Sequence, residues 1–76
     1  MQPDQQLDLS GLNCPLPILR SKKALATMDS GQVLAVLATD PGAPKDFEAF
    51  CRQTGNTLLE SSVTAEGKFL LVVRRK

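Results

Sequence analysis

The chain has no histidine, tryptophan or tyrosine, and among its 76 residues only three are phenylalanine and two are cysteine. Without histidine there is no Cys-His pair for nucleophilic catalysis, and two widely spaced cysteines do not make a zinc site. The five glycines form no phosphate-cradling loop, so neither a metal nor another cofactor is expected. So few aromatics leave no stacking platform for single-stranded nucleic acid, and a net charge of +1 gives no bulk attraction to nucleic acid or anionic lipid. No direct nucleic-acid partner and no membrane partner is expected. The longest nearly apolar run, Val33 to Ala38, is far below the ~20 residues that span a bilayer. The N-terminus, Met1-Gln2-Pro3-Asp4-Gln5, is short and polar and does not resemble a secretory signal, so a reducing cytoplasm is the expected location. This length bounds the chain to one small domain, expected over residues 6–76 behind a flexible tail at 1–5, and monomeric. Counting alone leaves a Cys14–Cys51 disulfide open.

What is present is a thiol in an unusual setting, Gly11-Leu12-Asn13-Cys14-Pro15-Leu16-Pro17. Pro15 and Pro17 fit the first and third positions of a helix, where a missing N–H costs little. On that reading Cys14 is the N-cap, its sulfur over the positive end of the helix dipole, with the N–H groups of Leu16 and Ile18 as the nearest free donors. Such a site, with Arg20, Lys22 and Lys23 in the same helix, predicts a thiol that ionises below the ordinary value. A residue before proline is pushed out of the α region, so the alternative is a helix starting at Pro17 with Cys14 in a short loop.

Around this turn the chain reads as alternating strands and helices. Gln6-Leu7-Asp8-Leu9 alternates at period two, a short strand with one buried face. From Ile18 to Met28 the apolar Ile18, Leu25 and Met28 share an arc opposite Arg20, Lys23 and Thr27, a helix lying on a core. Lys22 borders that arc and can snorkel, and Asp29-Ser30-Gly31 ends the helix. Val33 to Ala38 is an interior strand parallel to the first, turned by Asp40-Pro41-Gly42. A second helix is expected from Pro44 to Thr54, with Phe47, Phe50, Cys51 and Thr54 on one face. Leu58 to Thr64 and Lys68 to Arg75 flank Ala65-Glu66-Gly67, an antiparallel hairpin. The predicted order is βαβαββ, an α+β two-layer sandwich with a four-stranded mixed sheet and two helices on one face. The second and fourth strands are apolar at both parities, so one apolar parity faces away from the helices. Arg74-Arg75-Lys76 reads as a solvated tail that keeps a strand edge soluble.

Leu9-Ser10-Gly11-Leu12-Asn13-Cys14-Pro15-Leu16-Pro17, then Thr39-Asp40-Pro41-Gly42-Ala43 and Phe50-Cys51, resemble the TusA (SirA-like) sulfur carrier family over essentially the whole chain. The resemblance implies a fold similar to the C-terminal domain of a translation initiation factor. It also implies a cysteine that carries sulfur between proteins as a persulfide, placed here at Cys14 with Pro15 and Pro17 shaping its site and Asp40 in the family's Asp-Pro loop. Glu48 departs from the family, which often has proline there.

Persulfide transfer needs an exposed thiol with a lowered pKa and room for a partner. Cys14, flanked by prolines at a helix entry, fits that better than the buried role usual for a lone cysteine; Cys51, on an apolar face, reads as packed and inert. The chain lacks the rest of an enzyme, so a cysteine desulfurase or rhodanese-like protein is the expected sulfur donor, with a downstream protein as acceptor. Arg20 and Lys23 are the cations expected to guide docking, with Asp40 a further partner contact. The alternative is a regulatory binding module that uses the open sheet face and tolerates loss of Cys14.

Overall fold

A computed structural model describes residues 2–76. The elements are β1 (Gln5–Leu9), α1 (Leu16–Ala26), β2 (Val33–Ala38), α2 (Ala43–Thr54), β3 (Thr57–Val63) and β4 (Phe69–Arg74), the predicted βαβαββ order. β1 starts at Gln5, and Asp4 is tied to β2: its N–H donates to the Val33 carbonyl at 2.8 Å, and its carboxylate accepts the Val33 N–H at 2.8 Å. Residues 4 and 5 therefore do not belong to the expected flexible tail, because backbone pairing extends beyond the alternating stretch. Met1 lies outside the described residues.

The four strands lie in the order β1-β2-β4-β3. β1 runs parallel to β2, and β4 is antiparallel to both β2 and β3. β2 and β3 thus point the same way, and α2 carries the chain past the position that β4 later fills. Both crossovers advance in the same direction, which puts both helices on one face. β4 is a central strand, so the basic cluster does not guard an edge. Arg75 is also anchored: its N–H donates to Gln32 at 2.8 Å, its carbonyl accepts from Gly31 at 2.9 Å, and its guanidinium donates to the Met28 carbonyl.

Period-two patterning decides the core. On the helix side Leu34 pairs with Val73 and Val36 with Leu71, all four fully buried. Phe47, Phe50 and Cys51 of α2 close over them, with Leu25 and Met28 from α1 and the turn after it. Burying each large side chain stabilises by roughly 1.5–3 kcal/mol. The predicted face of α2 holds except at Thr54, which is exposed; its hydroxyl donates to the Phe50 carbonyl at 2.8 Å within the last turn. Gly55 ends that helix with φ +83, a left-handed conformation that favours glycine. On the other sheet face Ala35, Leu37, Leu70 and Val72 are half-buried and line a shallow groove of about 700 Å³. A bulge between Leu58 and Glu60 opposite β4 turns Leu59 and Glu60 onto that same face.

Helix α1 departs from its predicted bounds at both ends. It begins at Leu16 because the Leu19 N–H reaches the Pro15 carbonyl at 3.1 Å, closing a first turn that includes the residue before proline. It ends at Ala26, where the Thr27 hydroxyl and N–H both turn back to the Ala24 carbonyl. Its buried face is Pro17, Ser21 and Leu25, with Ile18 half-buried at the margin.

Candidate functional site

The thiol stands where the chain turns from β1 into α1. The Leu12 N–H donates to the Leu9 carbonyl at 3.2 Å, and the Gly11 N–H donates to the Thr39 hydroxyl at 2.8 Å, which ties this loop to the one after β2. Asn13 to Leu16 then form a tight turn, the Leu16 N–H donating to the Asn13 carbonyl at 2.8 Å, with the Cys14–Pro15 peptide cis. Pro15 occupies the N-cap and Pro17 the second helical position. Cys14 therefore lies just before the cap, and the Leu16 N–H expected to serve the sulfur is already used. Pro17 packs its ring into the core, while Cys14, Pro15 and Leu16 are exposed. Leu16 (42% exposed) and Leu19 (51% exposed) leave an apolar surface on the first turn of α1, downstream of the sulfur.

The second half of the site comes from α2. The Asp40 carboxylate accepts the Gly42 N–H at 3.2 Å and the Asp40 carbonyl accepts the Ala43 N–H at 3.0 Å, folding the Asp-Pro loop into the start of that helix. Asp46 lies in the first turn, where a carboxylate complements the positive helix end. Both carboxylates converge on Gly42: a Cβ there would lie 3.2 Å from an oxygen of Asp40 and 3.6 Å from one of Asp46.

The electrostatics overturn the expected activation. The Cys14 thiol is held above the ordinary cysteine value, first by the nearby Asp46 carboxylate, then by partial desolvation, then by the negative charges of Asp46 and Asp40. A helix end carries about half a positive charge; a full carboxylate charge nearby outweighs it, and Cys14 lies outside the cap. Arg20 and Lys23 face solvent, as does Lys22, and none of the three acts on the thiol. The structure thus brings Asp40 to Cys14 and leaves Arg20 and Lys23 on the outer surface of α1. Asp46 is the site residue that sequence reasoning missed; its signal is an acid in the first turn of the helix after the second parallel strand.

The two cysteines are both free, one exposed and one buried. Cys51 is 3% exposed, and burial pushes its thiol up. No group of metal-ligating side chains occurs among the described residues, and no described helix is long and apolar enough to cross a membrane.

The family model for sulfurtransferase TusA matches residues 5–75. The chain belongs to the TusA family. A sulfur carrier protein TusA of Allochromatium vinosum is 62% identical over 72 residues, which cover 95% of this chain and 93% of that protein. A sulfur carrier protein TusA of Pseudomonas putida is 39% identical over 74 residues, covering 97% and 91%. A SirA-like protein of Desulfitobacterium hafniense, solved by crystallography, superposes with a TM-score of 0.82 at 25% identity, over 92% of this chain and 95% of that one. Sulfur carriage between donor and acceptor proteins is the role that TusA membership assigns to this chain, and the SirA-like fold agrees with the predicted sandwich. Glu48, where the family often has proline, lies mid-helix in α2 and faces Arg52 at 3.7 Å, an exposed i,i+4 pair. Such pairs are worth about 0.3–0.5 kcal/mol.

Proposed function

We propose that this chain accepts sulfane sulfur as a persulfide on Cys14 and hands it to an acceptor protein. The observation that carries the reading is the contrast between the two thiols: Cys14 is exposed at the junction of two helix starts, while Cys51 is sealed in the core. Loading forms a bond from the Cys14 sulfur to the outer sulfur of a donor persulfide. The donor's S–S bond breaks, and its electron pair stays on the donor sulfur as thiolate. Delivery repeats the exchange with Cys14 as the leaving group, so no oxidant enters either step.

Pro15 and Pro17 shape the approach to the sulfur, and Leu16 and Ile18 set the first turn behind it. A cysteine desulfurase or rhodanese-like protein is the donor class this chemistry calls for, since loading needs a partner that already carries sulfane sulfur as a persulfide. Arg20 and Lys23 guide its encounter, and Asp40 contributes to the docking surface. Thiolation of transfer RNA, cofactor assembly and sulfur oxidation are the destinations proposed for the sulfur, in the cytoplasm and through protein contacts alone. Intact mass after incubation with a cysteine desulfurase and cysteine tests the reading. The expected result is a gain of one sulfur atom by the native chain and none by Cys14→Ser; no gain by the native chain would refute it.

A further inference from the structure

The sheet carries helices on one face only, and its other face holds a groove with an apolar floor and acidic walls. Ala35 and Leu37 of β2 and Leu70 and Val72 of β4, all half-buried, form the floor along the two central strands. The walls belong to the two edge strands, and each bears one acid, Asp8 on β1 and Glu60 on β3. The bulge in β3 brings Glu60 there beside Leu59, which is 37% exposed. Asp8 accepts the Ser10 hydroxyl at 2.6 Å and Glu60 the Ser62 hydroxyl at 2.7 Å, and neither carboxylate is in an ion pair among the described residues. No cation lines the groove: Lys68 precedes β4 and acts on Asp8 without pairing with it, and Arg74 ends β4.

Dimensions and charge together select an occupant. Three inter-strand spacings separate the edge strands, about 14 Å, and an α-helix with its side chains is about 10–12 Å across. Strands of six residues run for about 20 Å, the length of between three and four helical turns. A helix seated with an apolar stripe on the floor presents the flanks of that stripe to Asp8 on one side and to Glu60 on the other, where cations on long stems complement both. A second copy packed face to face fits less well, because a two-fold contact sets one acidic-walled groove against another and offers nothing to fill either.

We propose that the open sheet face is a docking groove for an amphipathic helix of a partner protein, one whose apolar stripe is flanked on both sides by Lys or Arg. The helix completes a third layer on the sheet. The Cys14 turn opens α1 in the opposite layer, so a partner seated in the groove holds the chain and leaves the thiol open. The inference stands apart from the persulfide reading, since occupancy of the groove is measured without sulfur.

The probe is a designed, fluorescein-labelled peptide of about 15 residues, with leucines at i, i+3, i+4 and i+7 and lysines flanking them; a matched peptide carries glutamates in place of the lysines. Fluorescence anisotropy with the full chain is expected to show the lysine peptide binding about tenfold more tightly than the glutamate peptide or better, with affinity falling as salt rises. Asp8→Asn with Glu60→Gln should weaken binding of the lysine peptide about fivefold or more and remove most of its salt dependence. Leu70→Ser, which takes apolar area from the floor, should weaken it about tenfold or more; Val72→Thr, with about threefold expected, replaces it if circular dichroism shows Leu70→Ser unfolded. Alkylation of Cys14 by iodoacetamide should keep its rate with the peptide bound. Absent binding, equal binding of the two peptides, or an unchanged affinity in the charge or floor variants overturns the proposal. Slowed alkylation overturns it by placing the peptide over the thiol and the apolar first turn of α1. A native chain that sediments as a dimer, with the floor variant a monomer, overturns it by giving the groove to a second copy.

Discussion

Ser21 offers a quantitative test of how α1 is held. It lies on the buried face of the helix between Pro17 and Leu25, is 0% exposed, and its hydroxyl has no hydrogen-bond partner among the described residues. A buried polar group left without a partner costs about 1–3 kcal/mol in desolvation. Ser21→Ala removes that cost, and alanine adds a few tenths of a kcal/mol in helix propensity. Against this stands the space left by one oxygen, on the order of 15 Å³, or about 0.4 kcal/mol at ~24 cal/mol per Å³. The propensity and cavity contributions nearly cancel, so the net expectation is a stabilisation of about 1–3 kcal/mol. At about 4–8 °C per kcal/mol for a domain of this size, the melting temperature should rise by at least about 4 °C.

Thermal unfolding by far-UV circular dichroism, checked by a urea titration with an unchanged slope, measures the effect. Ser21 touches neither the thiol nor its acids by any hydrogen bond, so the alkylation rate of Cys14 should stay at the native value. A melting temperature that is unchanged or lower would refute the reasoning, because the hydroxyl would then be satisfied in the folded protein. Ser21→Leu serves as the opposite control: overpacking a closed face costs typically 1–3 kcal/mol.

Three further outcomes are expected. Cys51→Ser places a new hydroxyl in a core site that is 3% exposed and should destabilise by about 1–3 kcal/mol in urea unfolding; the native Cys51 should react with iodoacetamide only as fast as the chain unfolds. The Asp8 carboxyl is held below its ordinary value by the Ser10 hydroxyl and N–H, so its contribution to stability is present above the unfolded value and lost as pH falls through the lower folded one. Asp8→Asn should therefore melt below the native chain at neutral pH, with the gap closing in acid. Arg20→Glu with Lys23→Glu should slow sulfur loading at low salt, with the defect shrinking as salt rises, in stopped-flow mixing with a desulfurase; an equal rate would move the docking surface elsewhere.

How far the sequence carried can be judged element by element. β2 has the expected bounds, Val33–Ala38, because an unbroken apolar run between a glycine turn and an Asp-Pro-Gly turn has one structural solution. α2 begins one residue early, at Ala43, since the Asp40 carbonyl already captures its N–H. α1 was harder to bound, because the two prolines that mark its start have opposite effects on their neighbours. Only the bond from the Leu19 N–H to the Pro15 carbonyl decides that Leu16 is helical. The insertion of β4 between β2 and β3 was not legible, because periodicity reports which face of a strand is buried and not which strand lies beside it. Cys14 as the exposed thiol was legible from its prolines. Its electrostatics were not, because the carboxylate that sets them belongs to another helix, and a reading confined to α1 finds only cations.

The parallel pairing of β1 with β2 explains why that carboxylate is where it is. Parallel strands end at the same edge of a sheet, and a helix that follows each strand starts there, so two helix N-termini are necessarily neighbours. Their positive ends would repel unless polar or acidic groups intervene. In this chain Asp46 lies in the first turn of α2 and Asp40 folds the loop before it, while the neutral Cys14 stands before α1. The acids that steady α2 are the same ones that act on the sulfur, so charge at this edge cannot be changed for the helix without changing the chemistry of the thiol. Asp46→Asn should consequently cost α2 about 0.3–1 kcal/mol at low salt, the loss of a first-turn acid, and at the same time quicken Cys14. Parallel measurement of melting and alkylation on one sample would show both changes together; a loss of stability with no change at the thiol would separate the two roles and confine Asp46 to its helix.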